Sequence, residues 1–179
     1  MKEKNNEATF NALFSLLVDS EVLQKEKHIK PDPKAQTNEI INKKLIERVK
    51  DKVHTNIRFT DKVIPSLYFN YEMECIGLNG VFTGAKSINF NQTEQTIQKE
   101  VSHYYALSTM LENQHGKYGK QNNFYLISDE PDGIGTKEHQ FWVKLKKGKK
   151  FKLIHSEEAD IVAQKIEETN ARTFLKIEL

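Results

Sequence analysis

The chain has 179 residues, of which 37% are hydrophobic and 29% are charged, and 27 basic residues against 25 acidic ones leave a formal net charge of +2. This length favours one well-buried domain, and the composition excludes an intrinsically disordered chain. The single cysteine, Cys75, excludes an internal disulfide and a multi-cysteine zinc site, and it favours a reducing, cytoplasmic environment. No apolar run approaches the roughly 20 residues that span a bilayer, so we expect no membrane partner. The many Asn, Lys and Ile residues suggest a bacterial or phage genome rich in A and T.

Residues 1–35 are predicted to form an N-terminal helix and a linker packed on the core. Apolar residues between positions 8 and 23 recur at helical spacing, and the charged start of the chain is unlike a signal peptide. Pro31 and Pro33 then predict a stiff, extended link. Residues 36–179 are predicted to form the core domain, which opens with a helix capped by Thr37 or Asn38.

The core domain continues with a predicted hairpin, whose strands at 66–76 and 81–90 flank a turn with the Asn-Gly signal. A helix follows to about position 112, and then a buried strand at 124–128. The remaining elements are predicted to be a second hairpin at 138–147 and 149–155, a helix at 156–168 and a last strand at 174–179. This order predicts a single α/β domain with a mixed central sheet flanked by helices.

Lys86 lies on the apolar face of its predicted strand, because alternation places it with Phe82 and Ile88. A buried lysine is costly unless an acid or a ligand compensates its charge. Glu72 and Glu74 lie one short turn upstream, and an acid on one strand of a hairpin can meet a lysine on the other. The pattern therefore predicts a polar centre at Lys86.

This pattern resembles the PD-(D/E)XK, or restriction-endonuclease-like, superfamily, and the resemblance covers roughly positions 39 to 128. It implies an αβββαβ core. Glu47 would match the acid of the first helix, Glu74 (or Glu72) the acid of the first strand, and Lys86 the lysine of the second. By the same resemblance, Glu47 and Glu74 would hold Mg²⁺, and Lys86 would position or activate the water that attacks a phosphodiester.

Two further positions bear on the resemblance. Gln98, followed by Tyr104 or Tyr105, would match the glutamine motif of the RecB-like branch and completes the candidate catalytic set. Gly84, in contrast, stands two residues before Lys86, where the superfamily has a metal-binding acid. This departure indicates a chain that keeps the fold and has lost a metal ligand.

A second candidate site is an alternative to the first. Asp129, Asp132, Glu138 and Gln140 resemble a variant of the same motif in which glutamine replaces lysine. Their carboxylates could converge on one ion if a strand ended near Asp129 and the next began near Glu138. The competing interpretation is a solvated acidic turn, since acids are common in such loops.

The second predicted hairpin is strongly basic. Its lysines could bind the phosphate backbone of a nucleic acid, and the neighbouring Trp142 could stack on a base. The alternative is an edge hairpin that lysine protects against aggregation. The candidate nucleic-acid-binding residues are Trp142, Lys144, Lys146, Lys147, Lys149 and Lys150.

Together these features predict a nucleic-acid-processing or nucleic-acid-binding protein with a nuclease-like core. It would be a metal-dependent phosphodiesterase that uses Mg²⁺, or an inactive relative without a cofactor. The alternative function is a non-catalytic protein-interaction module, such as a mobile-element, immunity or accessory protein. Gly84, the near-neutral charge and the lack of a strong motif favour that alternative.

Overall fold

The computed structural model describes residues 33–115 and 121–175. The helix predicted between positions 8 and 23, and most of the linker after it, lie outside these ranges. The first described element, helix α1, consists of an α-helix at Pro33–Ile41, a π-helical turn at Asn42–Ile46 and a last α-helical turn at Glu47–Val49. It begins earlier than the predicted cap at Thr37, because Pro33 fits the first turn of a helix, where its missing N–H is not needed.

Five strands and three more helices follow α1. The strands are β1 (His54–Phe59), β2 (Tyr71–Leu78), β3 (Phe82–Ser87), β4 (Asn123–Ile127) and β5 (Lys152–Ile154). Helix α2 (Glu94–His115) connects β3 to β4, and α3 (Lys137–Lys146) connects β4 to β5. After β5 come a short 3₁₀ helix (Ser156–Glu158) and α4 (Asp160–Thr169). None of the helices within the described ranges is long and apolar enough to cross a membrane.

The strands form one mixed sheet in the order β1-β2-β3-β4-β5. β1, β2 and β3 are successive antiparallel neighbours, whereas β3, β4 and β5 run parallel to one another. The parallel pairs require the crossover helices α2 and α3. The prediction of an α/β domain with a mixed central sheet flanked by helices is therefore confirmed.

Apolar side chains cover both faces of the sheet. The first core lies between the sheet and helices α2 and α3, and it contains Met73, Phe82 and Tyr104. The second core lies between the sheet and helices α1 and α4, and it contains Leu45 and Val162. Because helices cover both faces, the central strands are buried on both sides, as expected for parallel strands.

The first predicted hairpin is confirmed. β2 and β3 pair from Cys75 opposite Ala85 to Leu78 opposite Phe82, and Gly80 adopts a left-handed φ of 72° in the turn. Residues two apart on a regular strand share a face, but in β2 Met73 enters the first core and Cys75 enters the second. The change of face coincides with Asn56, whose φ is 47° and which lies beside Glu74 between two paired positions of β1.

The second predicted hairpin is wrong, because residues 138–146 belong to helix α3. Thr136 caps this helix, since its hydroxyl accepts a hydrogen bond from the N–H of His139 at 3.2 Å. Trp142 is buried in the first core, and Phe141 and Leu145 pack against that core at the (i, i+4) spacing of one helix face. Lysines alternate with apolar residues along this stretch, which imitates a strand, but the cap and the helical stripe decide the outcome.

The last predicted strand is not formed within the described residues. Arg172 makes an isolated antiparallel bridge with Leu78, and residues 173–175 are outside any strand. Residues 176–179 lie outside the described ranges.

Candidate functional site

Glu74 and Lys86 meet at the centre of the sheet, on the neighbouring strands β2 and β3. The Lys86 Nζ lies 3.3 Å from the Glu74 Oε1, and only 15% and 16% of their respective side chains are exposed. The Lys86 Nζ also lies 5.6 Å from the ring centroid of Tyr71, within the range of a cation–π interaction. The structure therefore brings together the two residues that the sequence placed at the polar centre.

Ser87 completes this centre. Its backbone N–H donates to the Glu74 Oε2 at 2.7 Å, and its hydroxyl donates to the Glu74 Oε1. Both oxygens of the carboxylate are thus occupied by protein donors. Sequence reasoning missed Ser87, for which the only signal was its position next to Lys86.

The aromatic and thiol groups beside this pair are protonated. Burial raises the pKa of Tyr71, and the nearby Glu100 and Glu74 raise it further. The Tyr71 hydroxyl donates to the backbone carbonyl of Glu100 at 2.9 Å. Burial also raises the pKa of the Cys75 thiol, with an added contribution from Glu74. A thiol held in its protonated form is a poor nucleophile, so Cys75 acts as a core residue.

Gly84, two residues before Lys86, is enclosed by its neighbours. A Cβ atom at this position would lie 3.0 Å from the carbonyl oxygen of Cys75 and 3.1 Å from both the Ile76 Cγ1 and the Met73 Cε. Two of these contacts are side chains, but the closest is backbone of the paired strand. A side chain at position 84 would therefore be crowded, and its neighbours, including backbone of the paired strand, would have to move by a few tenths of an ångström to admit it.

The other predicted members of the first site lie elsewhere. Glu47 is exposed on the last turn of α1, and its side chain makes no hydrogen bond or ion pair with any described residue. Gln98 is exposed on α2, where its amide donates to Glu94 at 3.0 Å. Of the two tyrosines considered with it, Tyr104 is buried and donates to the backbone carbonyl of Tyr125 at 3.0 Å, whereas Tyr105 is exposed.

These positions do not fit a Mg²⁺ site. A divalent cation needs several oxygen ligands, and Glu74 is the one predicted ligand at the centre of the sheet. Its two oxygens already accept from Lys86 and Ser87. Within residues 33–115 and 121–175, no group of three or more His, Cys, Asp or Glu side chains could hold a metal ion.

The second predicted constellation does not converge either. Asp129, just after β4, accepts hydrogen bonds at 2.9 Å from the N–H and the hydroxyl of Ser156. Asp132 instead pairs with Asn91, which donates to its carboxylate at 3.1 Å and accepts from its N–H at 3.1 Å. These acids therefore tie loops at the carboxyl edge of the parallel strands to each other.

The remaining two residues of that constellation lie on α3. Glu138 is in its first turn, where a negative charge is favourable. Gln140 donates to the backbone carbonyl of Gly135 at 3.0 Å. The neighbouring His139, which the sequence did not single out, lies 2.8 Å from Glu130. Each of these groups thus has a structural role in the loop between β4 and α3.

The predicted lysine cluster divides into two groups. Lys146 lies 4.8 Å from the ring centroid of Trp142, and Lys150 pairs with Glu112 beside the ring of Tyr105. In contrast, Lys144, Lys147 and Lys149 are exposed, and their side chains make no hydrogen bond or ion pair with any residue that the structure describes. These last three residues, which we call the free lysines, are the available cations.

Trp142 is not available to a base. Its side chain is 2% exposed and belongs to the first core, since it lies on helix α3 rather than on an exposed hairpin. The prediction that it stacks on nucleic acid is therefore corrected. Tyr105, which is 53% exposed and lies under Lys150, is the aromatic residue at this surface.

The free lysines and Lys86 lie near opposite ends of the parallel strands. Lys86 is opposite Leu126, near the carboxyl end of β4, whereas Lys149 precedes the amino end of β5. Because β3, β4 and β5 are parallel, Lys86 lies near their carboxyl ends and Lys149 near their amino ends. Comparison with protein-family models, with curated proteins and with solved structures found no match for this chain.

Proposed function

We propose that this chain is a nucleic-acid-binding protein built on a restriction-endonuclease-like core that has lost its metal chemistry. Support for the core comes from the order of α1, β1, β2, β3, α2 and β4, which is the αβββαβ order that the resemblance implies. The neighbouring positions of Glu74 and Lys86 on β2 and β3 add support.

The observation that carries the proposal is the absence of an acid at Gly84, where an added Cβ would be crowded, beside an intact Glu74–Lys86 pair. A metal-dependent phosphodiesterase needs carboxylate oxygens that are free to bind the ion and that lie around it. Here the one central carboxylate is held by Ser87 and neutralised by Lys86. This arrangement favours binding without cleavage.

The free lysines are the proposed contact with nucleic acid. They belong to the segment 144–152, which contains lysine, apolar residues and glycine but no acid. Exposed lysines that contact phosphates release counterions, so the resulting affinity falls as the salt concentration rises. Since these residues lie near the ends of the parallel strands away from Lys86, binding should not depend on the Glu74–Lys86 pair.

The test is fluorescence anisotropy with labelled single- and double-stranded DNA and RNA at several salt concentrations. The variant Lys144→Gln/Lys147→Gln/Lys149→Gln should reduce the slope of log affinity against log salt by about 2 to 3, since each phosphate contact contributes about 0.9. The matched control, Lys43→Gln/Lys50→Gln/Lys62→Gln, makes the same change of charge at exposed positions elsewhere and should have a much smaller effect. Equal losses in the two variants would contradict a specific surface.

Two further measurements separate binding from catalysis. Lys86→Met should bind oligonucleotides as the wild type does, because Lys86 is mostly buried and lies away from the free lysines. Incubation of the wild type with the same oligonucleotides and Mg²⁺ or Mn²⁺ should give no cleavage products. Metal-dependent cleavage that Lys86→Met abolishes would show an active nuclease instead.

The second candidate function is a non-catalytic protein-interaction module. Two large apolar side chains favour it, since Tyr68 is 93% exposed and Ile134 is 85% exposed. They are single residues rather than a contiguous patch, and isolated exposed apolar residues are common on monomeric proteins. The anisotropy experiment decides between the two functions. If the protein binds no oligonucleotide in a salt-sensitive way, the interaction module is the function that remains.

A further inference from the structure

His54, the first residue of β1, holds the end of the described chain. Its Nε2 accepts hydrogen bonds from the backbone N–H groups of Phe174 and Leu175, both at 3.1 Å. A ring nitrogen of histidine accepts a hydrogen bond only when it carries no proton. The neutral ring with its proton on Nδ1 is therefore the form that makes both contacts.

The residues held by His54 cover apolar surface. The Phe174 ring lies edge-on to the rings of His54, Phe82 and His115, at centroid distances of 5.5, 5.3 and 5.5 Å. Leu175 is also packed against the first core. Detachment of these two residues would uncover Phe82, which is otherwise fully buried at the start of β3.

The contacts just before Phe174 contain no group that titrates near neutral pH. The backbone N–H of Thr173 donates to the carbonyl of Lys52 at 3.1 Å, and Arg172 and Leu78 exchange two backbone hydrogen bonds at 2.9 and 3.2 Å. These bonds fix the chain up to residue 173. The two contacts that depend on His54 are therefore the last ones in the described segment.

Three charged or titratable residues contact this segment or belong to it: Lys52, whose carbonyl accepts from Thr173, His115, whose ring contacts Phe174, and Arg172. Lys52 pairs with Glu167 at 3.1 Å, and the His115 ring lies 5.5 Å from that of Phe174. No carboxylate among the described residues forms an ion pair with His54, so no described ion pair compensates a positive ring. Burial accordingly lowers the pKa of His54 below its ordinary value. Lys176 and Glu178 lie outside the described ranges.

We propose that His54 is a pH-sensitive latch for Phe174 and Leu175. Protonation of Nε2 takes one proton from solvent and turns the acceptor into a donor that faces two N–H groups. Both hydrogen bonds are then lost, and Phe174 and Leu175 detach, while the backbone bonds of Arg172 and Thr173 remain and act as the hinge. The latch is closed at neutral pH and opens as the pH falls. It does not rest on the proposed binding of nucleic acid.

The test is NMR on the full chain between pH 7.5 and pH 4.5. The ring resonances of His54 report its protonation, and hydrogen exchange, corrected for the intrinsic pH dependence, reports the protection of the Phe174 and Leu175 amides. We expect this protection to fall by up to about tenfold for each pH unit between the ordinary value of 6.5 and the lowered pKa of His54 in the folded protein, and to level off below that pKa. Protection that stays constant while the ring of His54 titrates would overturn the latch.

Two variants locate the effect. In His54→Gln the amide oxygen can accept at any pH, so the protection of both amides should no longer depend on pH. In the matched control, His115→Gln, the other histidine that touches Phe174 is replaced, and the pH dependence should remain that of the wild type. The same pH dependence in His54→Gln as in the wild type would assign the change to another group and overturn the latch. The wild-type titration decides the matter if a variant does not fold.

Discussion

Ser87 donates both its backbone N–H and its hydroxyl to Glu74, the acid that also pairs with Lys86. The carboxylate therefore keeps two donors of its own when Lys86 is absent, whereas the lysine has no second acid among its described contacts. Lys86 therefore depends on Glu74 as its counter-ion more than Glu74 depends on Lys86.

This inequality predicts that Glu74→Gln is more destabilising than Lys86→Met. Removing the acid leaves a mostly buried ammonium without its counter-ion, and because the pair keeps a little exposure we expect a loss of about 2–3 kcal/mol in the free energy of unfolding. Lys86→Met should cost less, and the double variant should recover part of the loss. Urea denaturation measures all three.

The control for this prediction is Glu72→Gln on the same strand. Glu72 is 66% exposed and lies 3.9 Å from Arg58, so its change should stay within about 0.5 kcal/mol. A loss in Glu74→Gln as small as that in Glu72→Gln would contradict a buried pair.

Gly84→Ala is expected to destabilise the fold by about 1–3 kcal/mol, because its Cβ would be forced against the backbone of Cys75 and the side chains of Met73 and Ile76. At a position with space, the same change would instead stabilise by about 0.4–1 kcal/mol through the unfolded state. The sign of the effect in urea denaturation therefore tests the crowding at position 84. Gly84→Asp should lose stability and gain no Mg²⁺-dependent cleavage.

His54 makes the stability of the whole fold depend on pH in a defined direction. Burial lowers the pKa of His54 in the folded protein, so between this pKa and the ordinary value of 6.5 the unfolded chain binds more protons. The stabilisation from the neutral ring is complete above pH 6.5 and is lost as the pH falls towards the lowered pKa. The stability of the wild type minus that of His54→Gln should decrease from pH 7.5 to pH 5. A difference that is independent of pH would contradict this assignment.

Trp142 is the single tryptophan of the chain, so its fluorescence reports on one site. Since it is 2% exposed, acrylamide should quench it weakly, and added oligonucleotide should leave both its emission and its quenching unchanged. Trp142→Phe should lower the stability without changing the affinity for oligonucleotides. Quenching by a bound oligonucleotide would show that the ring is accessible.

Local patterns predicted the centre of the fold well. The Asn-Gly turn and the alternation in β3 were sufficient to bring Lys86 next to Glu74. They failed at α3, where lysines at every second position imitate a strand and the helix is decided by packing against the first core. They also could not anticipate the contacts of His54, because residues 120 and 121 positions apart in sequence meet only in the folded chain.

Three of the buried side chains of helix α1, Ile41, Leu45 and Val49, follow one another at intervals of four residues, and Thr37 lies four residues before them. Such a stripe would drift by about 40° at each step around a regular α-helix. The wide π-helical turn at Asn42–Ile46 offsets this drift, so that Val49 is still buried while Thr37 donates to Asp129 at 3.4 Å. The number of residues between Thr37 and Val49 is therefore set by the contacts at both ends of the helix. Deletion of one residue within the turn would rotate one half of the helix by about 100° relative to the other. Either Val49 would leave the second core, or Thr37 would lose its contact with Asp129 after β4.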